Sequence, residues 1–228
     1  GVQTCALPIS PKKYIFEVEG FTMSAYLAGP ESAVSMKVLP NVSRPVLTGQ
    51  AKTAANYGPY FKEKSEAKEE GFQDIICVGE GGIIQEVSSA APFFIERDKN
   101  GKLKLVTPLF PSDETDPDKA VQHHMLDSIT RKTVLDLADA LNIEVEKRNI
   151  HVKDLNNMTG AFACGTAAGI TRINKLGIDD ETLEFEDQET KELIRNLYDN
   201  LMSVRQGKAK GALKAITDKY VTVLAPNS

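Results

Sequence analysis

The chain has 228 residues, of which 41% are hydrophobic, 26% charged and 7% aromatic, and its formal net charge is −5. This composition excludes an intrinsically disordered chain, and with 27 Lys and Arg against 32 Asp and Glu there is no basic excess to track a nucleic acid, nor any apolar run long enough to span a membrane. Cys5, Cys77 and Cys164 lack metal-ligand or disulfide spacing, so no metal is expected and the chain reads as a reduced, soluble, cytoplasmic protein.

Residues 1–9 (Gly-Val-Gln-Thr-Cys-Ala-Leu-Pro-Ile) read as a translated sequencing adaptor; they are set aside, and a gene cut upstream is expected. Tyr14 to Val18 and, more clearly, Ala33 to Leu39 alternate as strands. Pro40, Pro45 and Gly49 then break the chain as a linker. A helix follows, with Tyr57, Tyr60, Phe61 and Lys64 on one face, Pro59 in its first turn and Gly71 as its stop. Asp74 to Val78 and Ile83 to Val87 are strands around Gly79-Glu80-Gly81-Gly82, and Asp98-Lys99-Asn100-Gly101 turns a hairpin between Phe93 to Arg97 and Lys102 to Val106.

Pro111 to Ala120 is an acidic loop without periodicity. Val134, Leu137, Ala138 and Leu141 mark an amphipathic helix that Ser128 caps, and Ile143 to Ile150 alternates as a strand. Ala161 to Cys164 and Ile170 to Ile173 flank the turn Gly165-Thr166-Ala167-Ala168-Gly169. Leu193, Leu197, Leu201 and Val204 stripe a long helix that Gly207 ends. Helices interleaved with strands and hairpins predict a mixed α/β (α+β) fold.

Four places carry candidate chemistry. Lys52 lies among small residues, Gly49-Gln50-Ala51-Lys52-Thr53-Ala54-Ala55, with Tyr57 five residues on. A lysine removed from water loses its proton and forms Schiff bases, although most lysines are plain surface charges. Glu86 ends an apolar strand; exposed, it is a surface carboxylate, and buried, it needs a cationic partner such as a protonated pyridine nitrogen. Ser128-Ile129-Thr130 opens a helix, where free amides cap the helix or hold an anion. The Gly165-Thr166-Ala167-Ala168 turn is either structural or a second set of amides facing an anion. His123 and His124, adjacent in a loop, point apart and do not read as metal ligands. Cys77 and Cys164 read as small buried hydrophobes.

In this order, Ala51-Lys52 with Asn56-Tyr57, Ile84-Gln85-Glu86, Thr107-Pro108, Ser128-Ile129-Thr130-Arg131 and Gly165-Thr166-Ala167-Ala168 resemble the class IV aminotransferases. These are the fold type IV pyridoxal-phosphate enzymes, and within them the chain is most similar to the branched-chain amino-acid aminotransferases. The resemblance runs from about Arg44 to about Arg172, and more loosely through the last long helix. It implies a cofactor-binding C-terminal domain over residues 48–228, preceded at 10–47 by a remnant of the small N-terminal α/β domain and a linker.

It further implies that Lys52 holds pyridoxal 5'-phosphate as a Schiff base, Tyr57 bonds the phenolic oxygen, and Glu86 pairs with the pyridinium nitrogen. Ile129, Thr130 and Thr166 would hold the phosphate, and Thr166 and Ala167 the substrate carboxylate. The implied activity is transamination of an amino acid, branched-chain by resemblance, with 2-oxoglutarate, in a homodimer. Some positions depart from the family pattern: Ala91 stands where an Asn is usual, Ser128 where a Gly is usual, and the small domain's His-x-x-Arg-Leu type motif is absent. A lyase resembling aminodeoxychorismate lyase, a D-amino-acid or amine transaminase, and an inactive truncated paralogue stay open as alternatives; Asn56-Tyr57 favours the branched-chain group.

Overall fold

The computed structural model describes residues 32–40, 42–45, 48–116 and 124–222. Cys5, the strand expected at Tyr14 to Val18, and His123 lie outside them. Among the described residues nine strands form a single sheet: β1 (Ala33–Leu39), β2 (Asp74–Val78), β3 (Ile84–Val87), β4 (Ala91–Arg97), β5 (Leu103–Thr107), β6 (Val145–Lys147), β7 (Gly160–Gly165), β8 (Gly169–Ile178) and β9 (Glu181–Glu184). Their order is β3-β2-β1-β8-β7-β4-β5-β6, with β9 beside β8. Among the described residues four helices accompany them: α1 (Phe61–Glu69), α2 (Ile129–Ala140), α3 (Gln188–Arg205) and α4 (Ala212–Tyr220).

Side chains alternate across a strand, and in β4 both resulting faces are covered. Phe93 and Ile95 join one apolar cluster with Phe162, Cys164 and Ile170 under α2, α3 and α4. Phe94, between them, joins the opposite cluster with Met36, Ile76 and Ile173. Phe93 stacks on Phe162 with centroids 4.9 Å apart. A third, smaller cluster packs Tyr60 and Ala67 against Ile75 and Cys77, seating the α1 region on β2.

Several elements differ from their sequence reading. β1, expected as an alternating strand, is hydrogen-bonded in parallel to both β2 and β8, so it is a central strand of the sheet. The helix expected across Tyr57 to Lys64 begins only at Phe61, after two short 3₁₀ turns, Ala54–Asn56 and Gly58–Tyr60. A 3₁₀ turn rotates successive side chains further than an α-helix, so Tyr60 is buried while Phe61 is 74% exposed. The strand expected over Ile143 to Ile150 pairs only at Val145–Lys147, the residues that reach β5. β9 and α4 had no counterpart in the sequence reading.

Candidate active site

A cavity of about 270 Å³ gathers residues from separate stretches of chain: Lys52 and Tyr57 from the loop before α1, Glu86 from β3, Ser128 and Ile129 from the start of α2, and Gly165 and Thr166 from the β7–β8 turn. These are the places singled out by sequence, apart from Thr130 and Ala167, which do not line the cavity.

The lysine loop is shaped by two buried features. Asn56 donates from Nδ2 to the carbonyls of Thr48 and Ala51, both at 2.7 Å, and accepts from the Thr48 hydroxyl. One amide side chain therefore ties down the backbone on the N-terminal side of Lys52. Gly49 lets the loop press against the next segment, since a Cβ there would lie 2.0 Å from the His124 carbonyl oxygen. Lys52 itself is exposed and lines the cavity. A lysine withdrawn from water is the sequence expectation; the structure instead leaves Lys52 exposed. Its Nζ lies 5.9 Å from the centroid of the Tyr57 ring.

Glu86 is 5% exposed. Its carboxylate forms an ion pair with Arg44 Nε, and the Arg44 side chain is equally enclosed. Burial pushes the Glu86 carboxyl up to about 7; Arg44, the Leu126 N–H and the charge of Lys52 pull the other way. Arg44 also donates from Nη2 to the Gly49 carbonyl at 3.2 Å, linking carboxylate and lysine loop, and it lines the cavity. The sequence reading assigned Arg44 no role. Its signal is a charge in the prolyl stretch Ser43-Arg44-Pro45, which says nothing of burial.

Another part of the cavity is built from the start of α2 and the β7–β8 turn. Ser128 caps α2, its hydroxyl accepting from the Arg131 N–H at 3.2 Å, so the residue in place of the usual Gly helps to close the first turn. Ile129 is 68% exposed and lines the cavity, whereas Thr130 is buried and its hydroxyl accepts from Arg205 Nη2 at 3.1 Å. Of the Thr130 groups expected to meet an anion, the hydroxyl is thus engaged by Arg205. Arg131 is fully buried and bonds Thr107 Oγ1 (3.1 Å), the Pro108 carbonyl (3.0 Å) and Asp113 (2.7 Å). It joins two of the motif segments and keeps α2 in place. Cys164 is a buried thiol at the cavity wall, pushed up to about 12 by burial, and Ala91 is a buried apolar wall residue.

A family model described as amino-transferase class IV matches residues 13–176, more than half of the chain. The chain belongs to the class IV aminotransferase family. Among its curated relatives, a probable branched-chain-amino-acid aminotransferase of Staphylococcus epidermidis is 30% identical over 180 residues, covering 75% of this chain and 44% of the relative. Branched-chain-amino-acid aminotransferase 2 of Bacillus subtilis is 32% identical over 168 residues, covering 70% and 42%. The crystal structure of a branched-chain amino acid aminotransferase from Thermobaculum terrenum in its PLP form matches with a TM-score of 0.63 at 27% identity, covering 78% of this chain and 52% of that one. The chain therefore spans about half the length of these proteins or less. The mixed α/β fold and family expected from sequence are those found.

Proposed function

We propose that this chain is the cofactor-binding part of a pyridoxal-phosphate-dependent aminotransferase that moves an amino group from a branched-chain amino acid to 2-oxoglutarate. The observation that carries the reading is the donor set of one cavity: a primary amine (Lys52), a phenol (Tyr57), a buried carboxylate (Glu86) and the start of a helix beside a tight turn. Those groups fit an aromatic aldehyde with a basic ring nitrogen and a phosphate tail. The named relatives and the PLP form of the Thermobaculum terrenum enzyme support the same choice.

When bound, the cofactor supplies an electron sink for the pair left behind as the substrate Cα–H bond breaks. Lys52 would anchor its aldehyde carbon and, as a free amine, take the proton from Cα as general base. Glu86 would hold the ring nitrogen protonated. For that role the carboxylate must be ionised, and the Arg44 ion pair favours the ionised form. Tyr57 would bond the phenolic oxygen, while Ile129, Thr130 and Thr166 would hold the phosphate through helix and turn amides. Thr166 and Ala167 would meet the substrate carboxylate. A homodimer is the assembly carried by the resemblance.

The test is product identity. The purified chain, supplied with pyridoxal phosphate, leucine and 2-oxoglutarate, is expected to form glutamate. Release of pyruvate from an amino-acid substrate without any oxo-acid acceptor contradicts transamination and identifies a lyase.

A further inference from the structure

Arg205, the last residue of α3, has no part in the site as proposed from sequence. Its guanidinium donates from Nη1 to the Thr166 carbonyl, and from Nη2 to the Gly165 carbonyl and the Thr130 hydroxyl, each at 3.1 Å. One side chain thereby joins the β7–β8 turn, some 40 residues away in sequence, to the first turn of α2, 75 residues away. Gly169 closes the same turn with φ of +67°, and a Cβ there would lie 3.5 Å from Tyr198 and 3.6 Å from Arg205 Nη1. The turn rests directly on these two side chains of α3.

The carbonyl contacts decide where the amides go. In a trans peptide, C=O and N–H leave opposite sides of the unit, and the described residues contain no cis bond. With the Gly165 and Thr166 carbonyls held on Arg205, the N–H groups of Thr166 and Ala167 point away from it. Neither amide donates to a backbone acceptor in the turn and loop bonds among the described residues.

The charge is the second observation. No carboxylate pairs with Arg205 among the described residues; the groups that act on it electrostatically are Cys164 and Tyr198, and burial lowers its pKa. A half-buried cation without a counter-charge thus stands directly behind a turn and a helix start whose free amides suit an anion.

We infer that Arg205 is a positioning residue for the cofactor phosphate: it sets the turn amides against the α2 N-terminus and supplies the positive charge that the phosphate neutralises. This rests on the proposed cofactor. An effect on phosphate is separable from an effect on the fold, because pyridoxal offers the same aldehyde and ring without the phosphate.

The experiment measures dissociation constants of pyridoxal phosphate and of pyridoxal for the full chain, Arg205→Met and Arg205→Lys. Arg205→Met is expected to weaken pyridoxal phosphate about tenfold, the order of one lost charge-assisted contact, and to leave pyridoxal unchanged. Arg205→Lys, which keeps charge but not the two-pronged geometry, is expected to fall between. Equal loss for both ligands, or no loss for either, overturns the inference and leaves the cofactor reading intact. Failure of the unsubstituted chain to bind either aldehyde overturns the cofactor reading, and this inference with it.

Discussion

At the scale of single residues, the Arg44–Glu86 pair sets the electrostatics of the cavity. Burial holds the Glu86 carboxyl at about 7, above its ordinary value of 4.5, even with Arg44 opposing it. A raised acid pKa means that the folded chain binds the proton more tightly than the unfolded chain. The stability Glu86 contributes is therefore fully present below its unfolded pKa and lost as pH rises through about 7. Urea unfolding at about pH 5 and about pH 8 is expected to show a larger loss for the unsubstituted chain than for Glu86→Gln; equal losses contradict the assignment. Arg44→Met removes the main cation opposing burial and is expected to raise the Glu86 pKa further, as read by carboxyl NMR titration. As residues lining one cavity, Lys52, Tyr57, Glu86 and Thr166 were legible because each sits in a recognisable local run. Arg44 and Arg205 were not. An arginine's sequence neighbours do not reveal burial created by strands and turns forty or more residues away.

At the scale of elements, the site depends on how loops are tied to regular structure. Asn56 makes the lysine loop a fixed object, since its buried amide bonds Thr48 and Ala51. Asn56→Ala leaves those carbonyls without their donor and is expected to cost about 2 kcal/mol in urea unfolding, together with weaker cofactor binding; an unchanged midpoint contradicts this role. The start of α2 was legible from Ser128 and the apolar stripe behind it, because a cap and a 3.6-residue period are local signals. The onset of α1 was not, because the 3₁₀ turns ahead of it shift the side-chain phase and leave Phe61 on the outside. β9 was equally hidden: in Glu-Thr-Leu-Glu only Leu183 is partly covered, so no alternating pattern forms. α4 carries Leu213, Ile216 and Tyr220 at helical spacing against the second apolar cluster, a short stripe lying beyond the Gly207 stop.

At the scale of the whole molecule, the mixed α/β character was legible from the succession of elements, while the order of strands was not. β1 pairs in parallel with β2 and with β8, a strand more than 130 residues away in the chain, and such partners are chosen by packing on both faces rather than by local pattern. This arrangement brings the lysine loop, the Glu86 strand and the β7–β8 turn to one cavity. The proposed homodimer predicts, by light scattering, a mass twice that of one chain; a mass equal to one chain contradicts it for this form. The most direct test of the account is borohydride reduction of the chain with pyridoxal phosphate, followed by peptide mass mapping. The account predicts the reduced cofactor on Lys52, with the label lost in Lys52→Ala. An unlabelled Lys52, or label spread evenly over surface lysines, would contradict it.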